Sequence, residues 1–392
     1  MGIVITKRGA ISPLGIGIDN FLKNIQIKSN PSVINIFDVS NYDKNRAFFL
    51  NDFDPKSILG EKGLRNLNRN TLLILSCLQI DFKDVIDYFN DKNKELGLVV
   101  GSAFGSLQSI SDYEFEIFEK TPRKINPVGF ANTVLNSPTS RANIWYSLMS
   151  QSTTISQGDI SSAKAIEFSI MQLLTNKVDA ILCGGAEEIN MQTFLGYYLN
   201  RLLANDEIFP YNKDEKSSGT IIGEGASFVL LEKEENAKFP IIAKIDGYSS
   251  TFSIDISKGI EDNITNVIEK SNLKLEDIDI IFSSASGNRY FDNLEKKALL
   301  NVFGDKLSSI PVVAVKKFIG ESIGSSSLFQ LVVSSSLKYI NTFPSVYFYS
   351  KIEKEFIENK NFEIKSFNFK KILLNFSSEC GNHSAIILNI TE

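Results

Sequence analysis

Asp159-Ile160-Ser161-Ser162-Ala163-Lys164-Ala165-Ile166 is the stretch that decides the fold. It opens on a carboxylate and continues in small residues with no broad charged face. A helix of that composition suits close packing on several sides at once, as in a central layer between two sheets. A second such stretch, Glu321-Ser322-Ile323-Gly324-Ser325-Ser326-Ser327-Leu328, lies in the other half of the chain, again after a strand-like run and again behind a carboxylate. One copy per half predicts two related halves, residues 1–236 and 237–392, although no repeat aligns by identity. Lys233-Glu234-Glu235-Asn236-Ala237-Lys238 supplies the polar connection between them.

Around these helices, β-branched runs alternate with helical periodicity. Ile3 to Thr6, Leu98 to Gly101, Ala180 to Cys183, Ile278 to Ser283, Ile310 to Val315 and Lys371 to Phe376 read as buried strands. Ile372 to Phe376 and Ser384 to Ile390 flank a Gly-containing turn and read as a hairpin. Helices are predicted from about Thr71 to Tyr88, Ser109 to Glu119, Ile160 to Leu174, Ile264 to Ser271, Asp292 to Val302 and Ser322 to Leu337. This is α/β patterning, and runs without polar alternation belong to strands covered on both faces.

Composition narrows the function classes. The 392 residues are 43% hydrophobic and 22% charged with a net charge of −5, which describes a soluble globular chain and argues against nucleic acid as a partner. The opening apolar run is too short for a signal-peptide core, and no stretch approaches the roughly 20 apolar residues of a membrane span, so a cytoplasmic location is expected. Cys77, Cys183 and Cys380 form neither a disulfide framework nor a metal spacing, and a single histidine, His383, makes a zinc site unexpected.

Ordered motifs then carry a resemblance. Ile5-Thr6-Lys7-Arg8-Gly9-Ala10-Ile11-Ser12-Pro13-Leu14-Gly15 is similar to the N-terminal strand and turn of β-ketoacyl-acyl carrier protein synthases. Ile125-Asn126-Pro127 through Asn136, Cys183-Gly184-Gly185-Ala186-Glu187, Phe209 to Asp214, Gly223-Glu224-Gly225-Ala226 and Lys316-Lys317-Phe318-Ile319-Gly320 follow in the family's order. The resemblance spans nearly the whole chain. It implies the thiolase-like fold, a five-layer αβαβα arrangement of two pseudo-equivalent halves, with no cofactor.

In that family a cysteine at the start of the first central helix takes the acyl chain as a thioester, and two histidines support decarboxylation of the extender. A helix N-terminus lowers a cysteine pKa and offers N–H groups to an oxyanion. Here Asp159 stands at the nucleophile position, Ser286 at the first histidine and Glu321 at the second. A carboxylate attacking a thioester would form a high-energy anhydride, and glutamate cannot donate as a neutral imidazole does. The pantetheine-binding threonines fall on Asn288 and Tyr290, with Tyr290 bulky enough to bar the arm. Glu379 stands at or near the gate position of the closing loop, which also carries Cys380 and His383.

Departures gathered in one pocket describe a pseudoenzyme subunit. The chain resembles a chain length factor, the ketosynthase-like partner of an active ketosynthase in type II polyketide and aryl polyene systems. Those partners are associated with glutamine where this chain has Asp159. The resemblance implies a heterodimer reached by acyl carrier protein, with Val128, Gly129, Phe130 and Thr133 at the dimer seam and Val128 and Phe130 lining the acyl tunnel.

Plainer readings stand beside these. Asp159 and Glu321 suit helix starts. Their mutual repulsion requires protonation or a cation, and Lys316 is the retained candidate for a cluster that plugs the pocket. His383 reads as a structural histidine on a loop, Cys183 and Cys380 as small buried residues at turns, and Lys62, Arg65 and Arg69 as a solvated helix face or a patch for an acidic carrier. Gly223-Glu224-Gly225-Ala226 lacks the Lys-Ser/Thr of a phosphate loop and reads as a turn into a strand. Two functions stay open: a non-catalytic partner, or an independent decarboxylase, thioester hydrolase or acyltransferase using Asp159 or Glu321 as a base.

Overall fold

Strands without polar alternation are buried on both faces, and the computed structural model, which describes residues 2–214 and 218–391, shows what covers them. In Leu96–Gly101, Leu98 and Val100 join an outer apolar cluster with Leu73 and Phe82, while Val99 joins an inner cluster with Ile166. Lys371–Ser377 divides likewise, Ile372 and Leu374 facing inward and Leu373 facing an outer cluster of its own.

The strands form a 13-stranded mixed sheet whose order repeats. In the N-terminal half it runs Ile3–Ser12, Gly225–Lys233, Ala180–Glu187, Leu96–Gly101, Ser152–Ile155, with two antiparallel pairings followed by two parallel ones. In the C-terminal half Ala243–Phe252, Asn382–Ile390, Lys371–Ser377, Ile280–Phe282, Val312–Val313 repeat that order and those directions. The hairpin Thr342–Ser350 and Glu355–Glu363 extends the second set. Ile3, Val4 and Ile5 pairing with Ile245, Lys244 and Ala243 join the halves.

The helices Ser161–Leu174 and Ser326–Ser334 touch each other in the middle layer. Ser162 Oγ accepts from the Leu328 N–H at 3.2 Å, and Gln330 Nε2 donates to the Phe282 carbonyl at 2.8 Å, tying one helix to the other and to the C-terminal sheet. Arg69–Asp81 and Ser137–Tyr146 cover one outer face, and Ile256–Lys270 with Arg289–Phe303 the other. The result is the five-layer αβαβα thiolase-like fold.

Several boundaries differ from the sequence-based expectation. The helix read across Thr71 to Tyr88 is two, Arg69–Asp81 and Lys83–Asp91, broken at Phe82. Phe82 is buried edge-on against Phe228, and Asp81 accepts the Ala10 and Ile18 N–H groups, so tertiary bonds win over helical continuity. The helix read from Ser322 to Leu337 holds only Ser326–Ser334 as α-helix, with 3₁₀ turns at Ile323–Ser325 and Leu337–Tyr339. Ser325, Ser335 and Ser336 hydroxyls donate to backbone carbonyls three or four residues back, competing with helical bonding at its ends. The helix expected from Ile264 starts earlier, at Ile256, where Asp255 caps it through the Lys258 N–H.

Candidate active site

Asp159 is no helix cap. The helix runs Ser161–Leu174 with Ile160 at the N-cap position and no side-chain cap bond. Ser161 fastens the preceding turn, its Oγ accepting from the Gln157 N–H at 2.8 Å and donating to the Gly158 carbonyl at 2.5 Å. Asp159 therefore lines a cavity of about 240 Å³, together with Ser286, Asn288, Lys316, Glu321, Glu379 and Cys380. These residues come from the helix start, the loop after Ile280–Phe282, the short helix Lys316–Ile319 and the turn between Lys371–Ser377 and Asn382–Ile390.

Lys316 and Glu321 are both buried, with Nζ 2.6 Å from Oε2. Glu321 Oε1 accepts from the Ile323 N–H at 2.9 Å and from Ser326 Oγ at 2.7 Å, which is the helix-start role expected of it. Burial pulls the Lys316 ammonium down, but Glu321 and Asp159 outweigh it and hold it above its ordinary value. Burial pushes Asp159 up to about 6, opposed by Lys316 and a hydrogen bond from Ser378, and reinforced by Glu321. Burial likewise raises Glu379 against the pull of Lys316. The cluster does not plug the pocket, because the ion pair lies along its wall and leaves the cavity beside it.

The Asp159 carboxyl is raised in the folded state, so its favourable contribution is complete at low pH and is lost as pH rises through about 6. Asp159→Asn removes that loss. The variant should gain on the order of 1–2 kcal/mol over the parent at about pH 8 and little at about pH 4, read by chemical denaturation.

The loop carrying Ser286 is held by two carboxyls that sequence reasoning did not single out. Asp292 accepts the N–H groups of Ser286 at 3.0 Å, Gly287 at 3.1 Å and Tyr211 at 3.0 Å, and burial lifts it to about 7. Glu295 accepts from the Ser284 N–H and from Asn375 Nδ2 and the Tyr211 hydroxyl. Their signal was two acids three apart on a helix face shared with Phe291, Ala298 and Leu299. Glu187, lifted to about 8 by burial, accepts the Ala103 and Phe104 N–H groups and so positions Phe104 on the cavity wall. Tyr197, Leu202 and Thr220 also line the cavity and carried no sequence signal.

Other candidates lie elsewhere. His383 sits within Asn382–Ile390 rather than on a loop, fully buried against Gly259, with burial and Lys164 pushing it down to about 4; no imidazole lines the cavity among the described residues. Cys183 is buried mid-strand rather than at a turn, and Cys380 is exposed at the cavity rim rather than buried. Tyr290 is 69% exposed and off the cavity lining, so it does not bar the entrance, while Asn288 caps the helix Arg289–Phe303. Arg69 pairs with the buried Glu224 at 2.5 Å, and Lys62 and Arg65 lie on an exposed non-helical turn. Gly129 and Phe130 end the one-turn helix Pro127–Phe130, Thr133 Oγ1 donates to the Phe130 carbonyl, and Phe130 is 59% exposed beside Tyr113. The side chain of Val128 lies outside the described residues.

A fold of two pseudo-equivalent halves with its cavity at the head of the first central helix defines a class. Residues 2–237 match the beta-ketoacyl synthase N-terminal domain and residues 241–342 the beta-ketoacyl synthase C-terminal domain, and the chain belongs to the beta-ketoacyl synthase family of fatty-acid and polyketide condensation. It is 25% identical over 359 residues to 3-oxoacyl-[acyl-carrier-protein] synthase 2 of Coxiella burnetii, covering 87% of each chain. Against the Staphylococcus aureus protein of that name it is 24% identical over 88% of this chain and 87% of the other. Among solved structures, the ishigamide ketosynthase/chain length factor superposes with a TM-score of 0.86 at 20% identity, over 100% of this chain and 99% of that one. A ketosynthase in complex with its chain length factor from Xenorhabdus doucetiae gives 0.79 at 16% identity, over 100% and 98%. No helix among the described residues is long and apolar enough to cross a membrane.

Proposed function

We propose that this chain is a non-catalytic ketosynthase-like subunit, a chain length factor, that heterodimerises with an active beta-ketoacyl synthase and helps shape its acyl tunnel, with acyl carrier protein reaching the complex. The observation that carries this reading is the convergence of Asp159, Ser286 and Glu321 on one cavity whose framework is otherwise intact. Among the described residues no cysteine stands at the helix start and no histidine lines the cavity, while Lys316, Asp292 and Glu295 still brace it. Exposed apolar side chains support a partner: Phe115, Phe118, Phe130, Ile144 and Met149 are more than half exposed, and Ile144 belongs to the helix Ser137–Tyr146 that packs on the edge strand Ser152–Ile155. Residues 1–236 and 237–392 are its two functional halves.

Product analysis of the reconstituted pair tests the tunnel role. Phe130→Ala should shift products toward longer chains and Phe130→Trp toward shorter ones, and an unchanged distribution contradicts the assignment of Phe130 to the tunnel. The second reading, an independent decarboxylase, hydrolase or acyltransferase, draws on the open cavity and the raised Asp159 carboxyl, fit for a general base. Turnover of acyl-carrier thioesters by the isolated chain, abolished by Asp159→Asn, would establish it; no turnover without a second subunit favours the partner role.

A further inference from the structure

A second cavity shares the one-turn helix Lys316–Ile319 with the cavity at Asp159. Lys316 lines the first, whereas Lys317 and Phe318 line the second. Residues 28–31, Phe48, residues 206–208 and the hairpin of Thr342–Ser350 with Glu355–Glu363 complete it. Its apolar lining is fixed in place. Phe48, Ile208 and Phe318 are buried, and Phe318 stacks on Phe343 with ring centroids 6.0 Å apart. Ser29 Oγ donates to the Phe318 carbonyl at 2.8 Å, and Lys317 Nζ to the Ile208 carbonyl at 3.2 Å. A preformed apolar cavity with a few polar groups is where small molecules bind.

The charges around it decide which kind. Glu207 lies 3.0 Å from Lys28 Nζ and 3.2 Å from Lys317 Nζ. Glu358 lies 3.2 Å from Lys317 Nζ and accepts from Ser345 Oγ at 2.6 Å, and Asp206 lies 3.1 Å from Arg46 Nε. Each acid of the lining therefore has its countercharge. Lys360, the remaining cation, pairs with no acid among the described residues. It stands opposite the buried Ser345 in the hairpin register, which puts both side chains on the same face. An ammonium ligand finds every acid engaged, whereas a carboxylate finds a free ammonium at the edge of an apolar cavity.

We propose that this cavity binds a short aliphatic monocarboxylate, its chain laid on Phe48, Ile208, Phe318 and Pro344 and its carboxylate at Lys360. The 190 Å³ available equals about six waters at liquid volume, room for a chain of roughly five or six carbons. Binding of this kind uses none of the side chains at Asp159, so it stands apart from the question of a catalytic partner.

The test is titration calorimetry on the intact chain with hexanoate, 1-hexanol and n-hexylammonium, probes of one length and different charge. Saturable 1:1 binding of hexanoate is expected, with 1-hexanol weaker by about three- to fivefold, the worth of an ion pair near the surface, and n-hexylammonium weaker still. Lys360→Gln should bring hexanoate down to the affinity of 1-hexanol at an unchanged melting midpoint, because the lysine is exposed. Lys365→Gln, exposed and off the cavity lining, should leave hexanoate binding unaltered. No saturable binding, equal affinity for 1-hexanol, preference for n-hexylammonium, or hexanoate binding indifferent to Lys360→Gln overturns the proposal.

Discussion

Lys316→Ala should cost about 3–5 kcal/mol of folding stability, the penalty for removing one partner of a buried ion pair. Lys316 and Glu321 are 8% and 5% exposed, so neither charge has bulk water to fall back on. Without the ammonium, Glu321 keeps its bonds from the Ile323 N–H and Ser326 Oγ but loses the countercharge 2.6 Å away. Asp159, Glu379 and Glu295 lose the same field at once. The loss should be largest near about pH 8 and shrink toward about pH 5, because carboxyls raised further in the folded state are then protonated at little cost. Denaturant midpoints at both pH values check this. Against a typical domain stability of about 5–15 kcal/mol, the change is large enough to reduce soluble yield. An unchanged midpoint would mean that Lys316 does not hold the cluster together.

Gly101→Ala should be comparably severe, at about 3 kcal/mol or more, for a steric reason. A Cβ on Gly101 would fall 2.4 Å from both the Cα and the backbone N of Ser162, and backbone cannot rotate away as a side-chain tip can. To admit it, the strand Leu96–Gly101 and the helix Ser161–Leu174 must separate at the point that aims Asp159 into the cavity. Gly60→Ala is the contrast, since a Cβ there meets nothing within 4 Å and only the left-handed backbone, φ +83°, resists it. Melting curves and soluble yield of the two variants should diverge clearly. Equal behaviour would mean that the contact at Gly101 relaxes without strain.

Gly101 also shows why parts of the fold were legible. Central-layer helices must be built of small residues because strand ends such as Gly101 and Gly185 press directly on Ser162 and Ser325, and that composition is visible in sequence. That Asp159, Ser286 and Glu321 meet in one cavity was legible for a related reason: each sits in a motif of the sequence. The supporting shell was not. Tyr197 and Thr220 reach the cavity from segments without any motif, and Asp292 shows in the sequence only as an acid on an apolar helix face, because its partners are backbone N–H groups. His383 deceived because a turn ends at Gly381, yet the strand begins at Asn382 and closes over the ring. Helix breaks at Phe82 and Ile323 follow from tertiary contacts and serine back-bonding, beyond the reach of periodicity.

The partner role rests on a chain whose cavity lining, among the described residues, offers neither a thiolate at the helix start nor an imidazole, and which leaves Phe115, Phe118, Phe130, Ile144 and Met149 exposed. Mild affinity purification of this chain from its own host, followed by native mass spectrometry, tests that claim most directly. A 1:1 complex with a beta-ketoacyl synthase carrying an intact Cys-His-His set is the predicted result. Recovery solely as a homodimer that turns over acyl-carrier thioesters unaided would contradict it.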